Sequence, residues 1–345
     1  MKIIAAFDSF KGCLSSQEVA AVVRRAVEDM LPDAEVVELS VADGGEGTLD
    51  AVTRTLGGRF MTAVVSDPLG RPTVARYGVA GNLGIVEVSQ ACGLTLLKDD
   101  ERNPLLTTSR GVGELILDAI ANGCERFIVG LGGSATNDGG RGMIEVDGFL
   151  DKARKCTFTV ACDVDNPFIG PQGASRVFAP QKGAGLEDVE VLERRLAEYA
   201  KVILSDTGMD VRSMSGAGAA GGLGGAFAAY LGAELRPGIE MVLDAVGFDT
   251  LLEGADLVLT GEGCSDAQTA RGKAPAGVLA HARKKGVPVV LVSGAISRCP
   301  ELDAMGFASM RAVSPDGMPL DEAMNPVTAR NNLYGTVRSI LKTLA

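Results

Sequence analysis

Residues 3–56 read IIAAFDSFKGCLSSQEVAAVVRRAVEDMLPDAEVVELSVADGGEGTLDAVTRTL. The run over 3–7 is short and wholly apolar, the pattern of a buried strand. Ser15 and Ser16 are residue types that cap helices, and the pattern behind them predicts a helix over 17–31. Pro32 and Asp33 make a turn. A second strand follows over 35–41 and a second helix over 47–56. Strand, helix, strand, helix is the opening of a parallel sheet with crossover helices.

Outward from that stretch the pattern changes. Short strands are predicted over 60–65, 74–79 and 85–88, joined by turns at Pro68-Leu69-Gly70 and Gly81-Asn82. A helix over 111–121 leads to a strand over 126–131, and another strand covers 157–162. The segment 186–204 is a charged amphipathic helix, and 225–231 is a helix behind a glycine-rich loop. The end of the chain returns to simple alternation: strand 257–260, helix 274–285, strand 287–292 and helix 331–344. The simplest assembly is an α/β fold of two α/β domains. A Rossmann-like parallel-sheet domain is built from both chain ends, 1–62 and 247–345, and a mixed α/β domain, 63–246, is inserted between them.

Composition narrows the functional classes. The 345 residues carry 33 basic and 44 acidic side chains, a net charge of −11. Such a chain lacks the basic excess of a nucleic-acid binder and is poorly suited to an acidic membrane surface. Aromatic residues are 4% and tryptophan is absent, which argues against a stacking platform for single strands. Asp8 breaks the first apolar run too early for a signal peptide. The uncharged stretch 213–233 holds too many glycines and too few large apolar residues for a membrane span. The cysteines Cys13, Cys92, Cys124, Cys156, Cys162, Cys264 and Cys299 form no CxxC pair. They read as reduced thiols of a cytoplasmic protein.

In open parallel sheets, ligands bind beyond the carboxyl ends of the strands. Polar clusters follow the apolar runs in this chain: Asp8-Ser9-Phe10-Lys11-Gly12, Asp43-Gly44-Gly45-Glu46-Gly47, the loop 132–140, Asp163-Val164-Asp165-Asn166, and Gly261-Glu262-Gly263 with Asp266. Each carries a carboxylate, most beside glycine. Glycine turns present backbone N–H groups to phosphate. Neighbouring carboxylates suit Mg²⁺, which shares its oxygen ligands with substrate phosphates. Lys11 adds a cation. The set points to phosphoryl transfer from a nucleotide. The one histidine, His281, lies in a helix pattern with no partner motif, so a general base would be a carboxylate or Lys11. A Walker A sequence is absent. The GxGxxG match at 216–221 follows a polar stretch rather than a strand. It is weak support for a dinucleotide-dependent oxidoreductase.

With these loops collected, the chain resembles the bacterial type-1 (class I) glycerate kinases over nearly its whole length. The resemblance rests on DSFKG at 8–12, ADGGEGT at 42–48, NPLLTTSRGVGELI at 103–116, GGSATNDGG at 132–140, ACDVDNP at 161–167, PQKGA at 180–184, GAGAAGGLG at 216–224 and LRPGIE at 235–240. GEG at 261–263 belongs with these, together with Asp266, Gln268, Thr269 and GKAPAGV at 272–278.

The resemblance implies transfer of the ATP γ-phosphoryl group to D-glycerate, with Mg²⁺, in a cleft between two α/β domains. The 2-phosphoglycerate product is favoured over the 3-isomer, and a homodimer is left open. Asp8, Lys11, Asp43 and Asp163 are the expected catalytic residues. Lys11 would neutralise a carboxylate or phosphate, and the aspartates would activate the substrate hydroxyl or hold the metal. Ser9, Gly44, Gly45, Glu46, Gly132, Gly133, Ser134, Asn137, Asp138, Asn166, Gly218 and Gly221 are expected to bind substrate or phosphate. Asp165, Glu262 and Asp266 are expected at the metal.

Three features depart from the family pattern. Cys264 and Ser265 follow GEG where an arginine is usual, only 144–160 connect two loops that relatives separate by a few dozen more residues, and Phe7 stands where proline is usual. The first two motivate a competing reading, a relative that binds glycerate or nucleotide without turnover.

Overall fold

The computed structural model describes residues 1–10, 12–42, 45 and 47–343. Lys11, Asp43, Gly44 and Glu46, all expected at the site, lie outside the described residues. The chain forms two compact units, Met1–Asp43 with Val242–Ala345, and Gly44–Met241.

The first unit is a five-stranded parallel sheet. In space its strands run Ser309–Ala312, Val289–Ser293, Leu257–Gly261, Lys2–Phe7, Glu35–Ser40. Numbered in chain order within the unit and read from the Glu35–Ser40 edge, this is 2-1-3-4-5, one of the two common doubly wound orders. Ile3, Ile4, Ala5, Ala6 and Phe7 are all fully buried, as the unbroken apolar run requires of a strand covered on both faces. Helix Ser16–Met30 starts on a capping box between Ser15 and Glu18. It buries Val19, Val23 and Val27 in one core with Leu333, Val337 and Ile340 of helix Pro326–Lys342. That last helix begins at Pro326 rather than at 331. Asn325 accepts hydrogen bonds from the amides of Val327 and Thr328, and Pro326 is already set for the first helical position. Strand Ser309–Ala312 went unread because only part of it is apolar.

The second unit carries a six-stranded mixed sheet in the order Arg59–Ser66, Pro72–Ala80, Leu83–Glu87, Arg126–Gly130, Thr157–Ala161, Glu234–Arg236. The first two pairings are antiparallel and the rest parallel. Strand Glu234–Arg236 has three residues, too few for a period to show. Phe127 and Phe158 stack across adjacent parallel strands, 4.8 Å between centroids. Leu115, Ile116, Leu196 and Phe227 close the same core from three helices.

The helix expected over 225–231 extends back to Ala219, through a kink. Ala220, Gly221 and Gly222 there have φ of 51°, 67° and 97°. No helix among the described residues is long and apolar enough to cross a membrane.

Candidate active site

In the first unit the strand order reverses between Lys2–Phe7 and Leu257–Gly261, and ligands of such sheets bind at the carboxyl ends beside that reversal. Asp8 and Glu262 stand there, each directly after its strand. The Asp8 amide donates to the Gly261 carbonyl at 3.0 Å, and Asp8 Oδ1 accepts from the Ser9 amide at 2.6 Å. Asp8 is 5% exposed.

Glu262 is also buried, and a small network holds its carboxylate. Oε1 accepts from the Thr269 hydroxyl at 2.6 Å and from the Ser265 hydroxyl at 3.1 Å, and Oε2 faces the Lys273 ammonium at 3.5 Å. Ser265 Oγ lies 2.7 Å from Ser293 Oγ at the end of the neighbouring strand. Asp266 takes the Gln268 amide on Oδ1, while its own amide donates to the Thr269 hydroxyl. The motif residues from GEG to GK therefore converge on one carboxylate. Cys264 is exposed beside them. His281 is occupied by Asp249, with Nδ1 2.7 Å from Oδ1, and the imidazole lowers the Asp249 carboxyl below its usual value.

In the second unit the parallel strands present their own carboxyl ends. Gly132 and Gly133 follow Arg126–Gly130 and are exposed, while Ser134, Ala135, Thr136 and Asn137 are buried. Asp138 organises this loop. Its Oδ2 accepts from the Ser109 amide and hydroxyl, both at 2.8 Å, and from the Gly142 amide at 3.1 Å; its Oδ1 accepts from the Gly140 amide. Asn137 donates to the Ser175 hydroxyl at 3.0 Å, and its buried Oδ1 has no hydrogen-bond partner among the described residues. Asn137 and Asp138 also border a cavity of about 840 Å³, lined in addition by Arg141, Ile144, Arg195 and Tyr199.

Asp163, after Thr157–Ala161, is exposed, and its Oδ1 accepts from the Gly238 amide at 2.9 Å, at the start of helix Gly238–Ala245. Asp165 is exposed on the same loop. Asn166 turns its amide onto the Gln172 carbonyl. Gly45 accepts from the Thr48 amide and hydroxyl at the start of helix Thr48–Thr55.

Gly218 and Gly221 are needed for close packing. A Cβ at Gly218 would stand 2.3 Å from the Pro167 carbonyl oxygen, and one at Gly221 would stand 2.0 Å from that of Thr136. The glycine-rich turn is thus pressed against both the 132–140 loop and the Asp163–Asn166 loop, and the Gly139 amide bonds the Gly221 carbonyl at 2.9 Å.

Two residues escaped the sequence reading. Glu87 is buried at the end of Leu83–Glu87 and accepts the Leu49 amide at 2.8 Å. Its signal was a carboxylate inside the apolar run IVEV. Lys182, 3% exposed, donates to the Ser134 hydroxyl at 3.0 Å and the Thr136 carbonyl at 2.7 Å. Burial drives its pKa down to about 8, against the opposing pull of Cys92 and Asp138. Its signal was PQKGA, a motif whose one cation went without a role.

Among the described residues no three acidic, histidine or cysteine side chains converge as a metal cage. A site of one or two carboxylates completed by phosphate oxygens, the arrangement Mg²⁺ favours, makes no such demand.

The glycerate kinase family model matches residues 3–150 and 144–345. The two matches meet beside the shortened connection. The chain is 42% identical to the glycerate kinase of Bacillus subtilis strain 168, over 94% of this chain and 93% of that one. It is 39% identical to the glycerate 2-kinase of Escherichia coli strain K12, over 100% of this chain and 98% of that one. That alignment spans 376 positions against 345 residues here, 31 more than the chain supplies. A solved structure from Salmonella typhimurium LT2, described as a "putative glycerate kinase 2", superposes with a TM-score of 0.89. It is 39% identical, and the match covers 100% of this chain and 98% of that one.

Proposed function

The chain belongs to the glycerate kinase family and is a kinase, and on that premise we propose that it transfers the γ-phosphoryl group of ATP to the 2-hydroxyl of D-glycerate. The products are 2-phosphoglycerate and ADP. The observation that carries this reading is the full-length likeness to a glycerate 2-kinase.

In this reading the hydroxyl oxygen forms a bond to the γ-phosphorus as the bond to the ADP oxygen breaks. The hydroxyl proton passes to a carboxylate, for which Asp8, Asp43 and Asp163 are the proposed acceptors. Lys11 is proposed to neutralise substrate charge. Gly132 and Gly133, exposed at a strand's carboxyl end, are proposed to meet an anionic group through backbone N–H donors. Mg²⁺, carried in with the nucleotide, would neutralise phosphate charge. Asp165, Glu262 and Asp266 are the carboxylates proposed for it; Glu262 is already oriented by Thr269 and Ser265 on Oε1 and by Lys273 on Oε2. A cytoplasmic setting is supported by seven free cysteines.

The test is ³¹P NMR of the purified protein with MgATP and D-glycerate, beside a control without glycerate. A growing phosphomonoester signal with the coupling pattern of 2-phosphoglycerate and matching ADP is the expected result. The 3-isomer would overturn the regiochemistry, and no product from folded protein would overturn the reaction.

A further inference from the structure

Lysine is almost never fully buried unless it is paired. Lys182 ends the turn Pro180–Lys182, and its ammonium lies inside the second unit. Among the described residues its hydrogen-bond partners are the Ser134 hydroxyl and the Thr136 carbonyl, both uncharged, and no carboxylate pairs with it. Asp138, the nearby anion, has its carboxylate filled by four donors.

A neutral side chain could satisfy one carbonyl without the desolvation that an ammonium suffers. The positive charge therefore calls for an explanation beyond packing. The loop it holds offers one. Ser134 and Thr136 face inward to Lys182, while Gly132 and Gly133, just before them, are exposed. The loop is pinned elsewhere by the Asp138 carboxylate and by neutral contacts: the Ala135 amide to the Cys92 carbonyl at 2.7 Å, and the Thr107 hydroxyl to the Ala135 carbonyl at 3.0 Å. Lys182 is the one cation bonded to it among the described residues. A charge fixed behind an exposed glycine turn adds its field to that of the backbone donors, in a medium that screens it less than water does.

We propose that Lys182 is a positioning residue. Its ammonium clamps the 132–140 loop from behind and biases the exposed glycine turn toward the anionic group of a substrate. This rests on the reading that the loop meets such a group.

The experiment compares wild type with Lys182→Met, an apolar side chain of similar length. Readouts are kcat, the KM for D-glycerate, the KM for MgATP, and far-UV circular dichroism. Wild-type protein that forms no ADP from glycerate and MgATP fails the functional reading before any variant is assayed. With an active wild type, the expected result is a folded variant whose KM for one substrate rises about tenfold while the other stays within twofold. Unchanged constants overturn the proposal, and so does an equal loss in every parameter, the mark of a merely structural defect. If Lys182→Met does not fold, Lys182→Gln replaces it, since it retains a donor for the Thr136 carbonyl. The same split in KM supports the clamp, and wild-type constants overturn it. If neither variant folds, Lys182 is a folding element and the positioning role is overturned.

Discussion

The Thr269 hydroxyl donates to Glu262 Oε1 across 2.6 Å, inside a unit where both residues are buried. Six residues of chain separate them, and the loop between folds back so that the hydroxyl also accepts the Asp266 amide. Thr269→Val keeps the shape and removes both bonds. A hydrogen bond to a charged group contributes about 1.5–3 kcal/mol. The expected result is a loss of ~2 kcal/mol in urea unfolding, with Ser265→Ala losing less because its bond to Glu262 is longer.

Ala220 and Gly221 share the left-handed region but not its consequences. Gly221→Ala would strain φ at 67° and drive a Cβ to 2.0 Å from the Thr136 carbonyl oxygen. Neither the turn nor the loop can yield without breaking the bond from Gly139 to Gly221. The variant is expected to lose at least ~3 kcal/mol or fail to fold. Ala220→Gly removes the strain of φ 51° at the cost of a freer unfolded chain, for a net gain of ~0.5–1 kcal/mol. Thermal melts of the two variants should move in opposite directions.

These residues mark what the sequence made legible. The parallel sheet of the first unit was readable because its inner strands are buried on both faces and so carry unbroken apolar runs. The loops were readable because polar clusters follow those runs directly. What stayed hidden depends on contacts between distant segments. Lys182 reaches Ser134 and Thr136 across 48 and 46 residues. That two loops press on the glycines at 218 and 221 is likewise a matter of distant contacts: a Cβ there would meet the Pro167 and Thr136 carbonyls. The strand Glu234–Arg236 is held by its neighbour Thr157–Ala161 rather than by any period of its own.

Cys264 stands where the resemblance leads to an expected arginine. It is exposed, on the short strand Cys264–Ser265, next to the residue that bonds Glu262. An arginine there presents a planar cation with up to five donors, suited to carboxylate or phosphate. Because the position is exposed, Cys264→Arg is expected to fold with unchanged stability. The KM for glycerate or for MgATP is expected to fall severalfold, and steady-state kinetics on the paired proteins would check it. If neither KM falls, a cation at this position does not meet either substrate.

Lys182 also makes stability depend on pH, with a sign that follows from its burial. Its pKa is about 8 in the folded protein and 10.5 for an ordinary lysine. Between those values the unfolded chain binds more protons than the folded one, so stability rises with pH there. Below pH 8 the penalty for the buried charge is fully present, and above 10.5 it is gone. The difference corresponds to ~3 kcal/mol. Cys92, which together with Asp138 acts on this ammonium, works the other way. Burial pushes its thiol from 9.0 up to about 12, so the folded protein keeps a proton that the unfolded chain loses, and stability falls with pH across that window. The two windows overlap only above pH 9. Urea unfolding of wild type and Lys182→Met at pH 7.5 and pH 9 therefore isolates the lysine. Wild type should gain on the variant between those two points, and in Cys92→Ala protein the gain should continue toward pH 10.5.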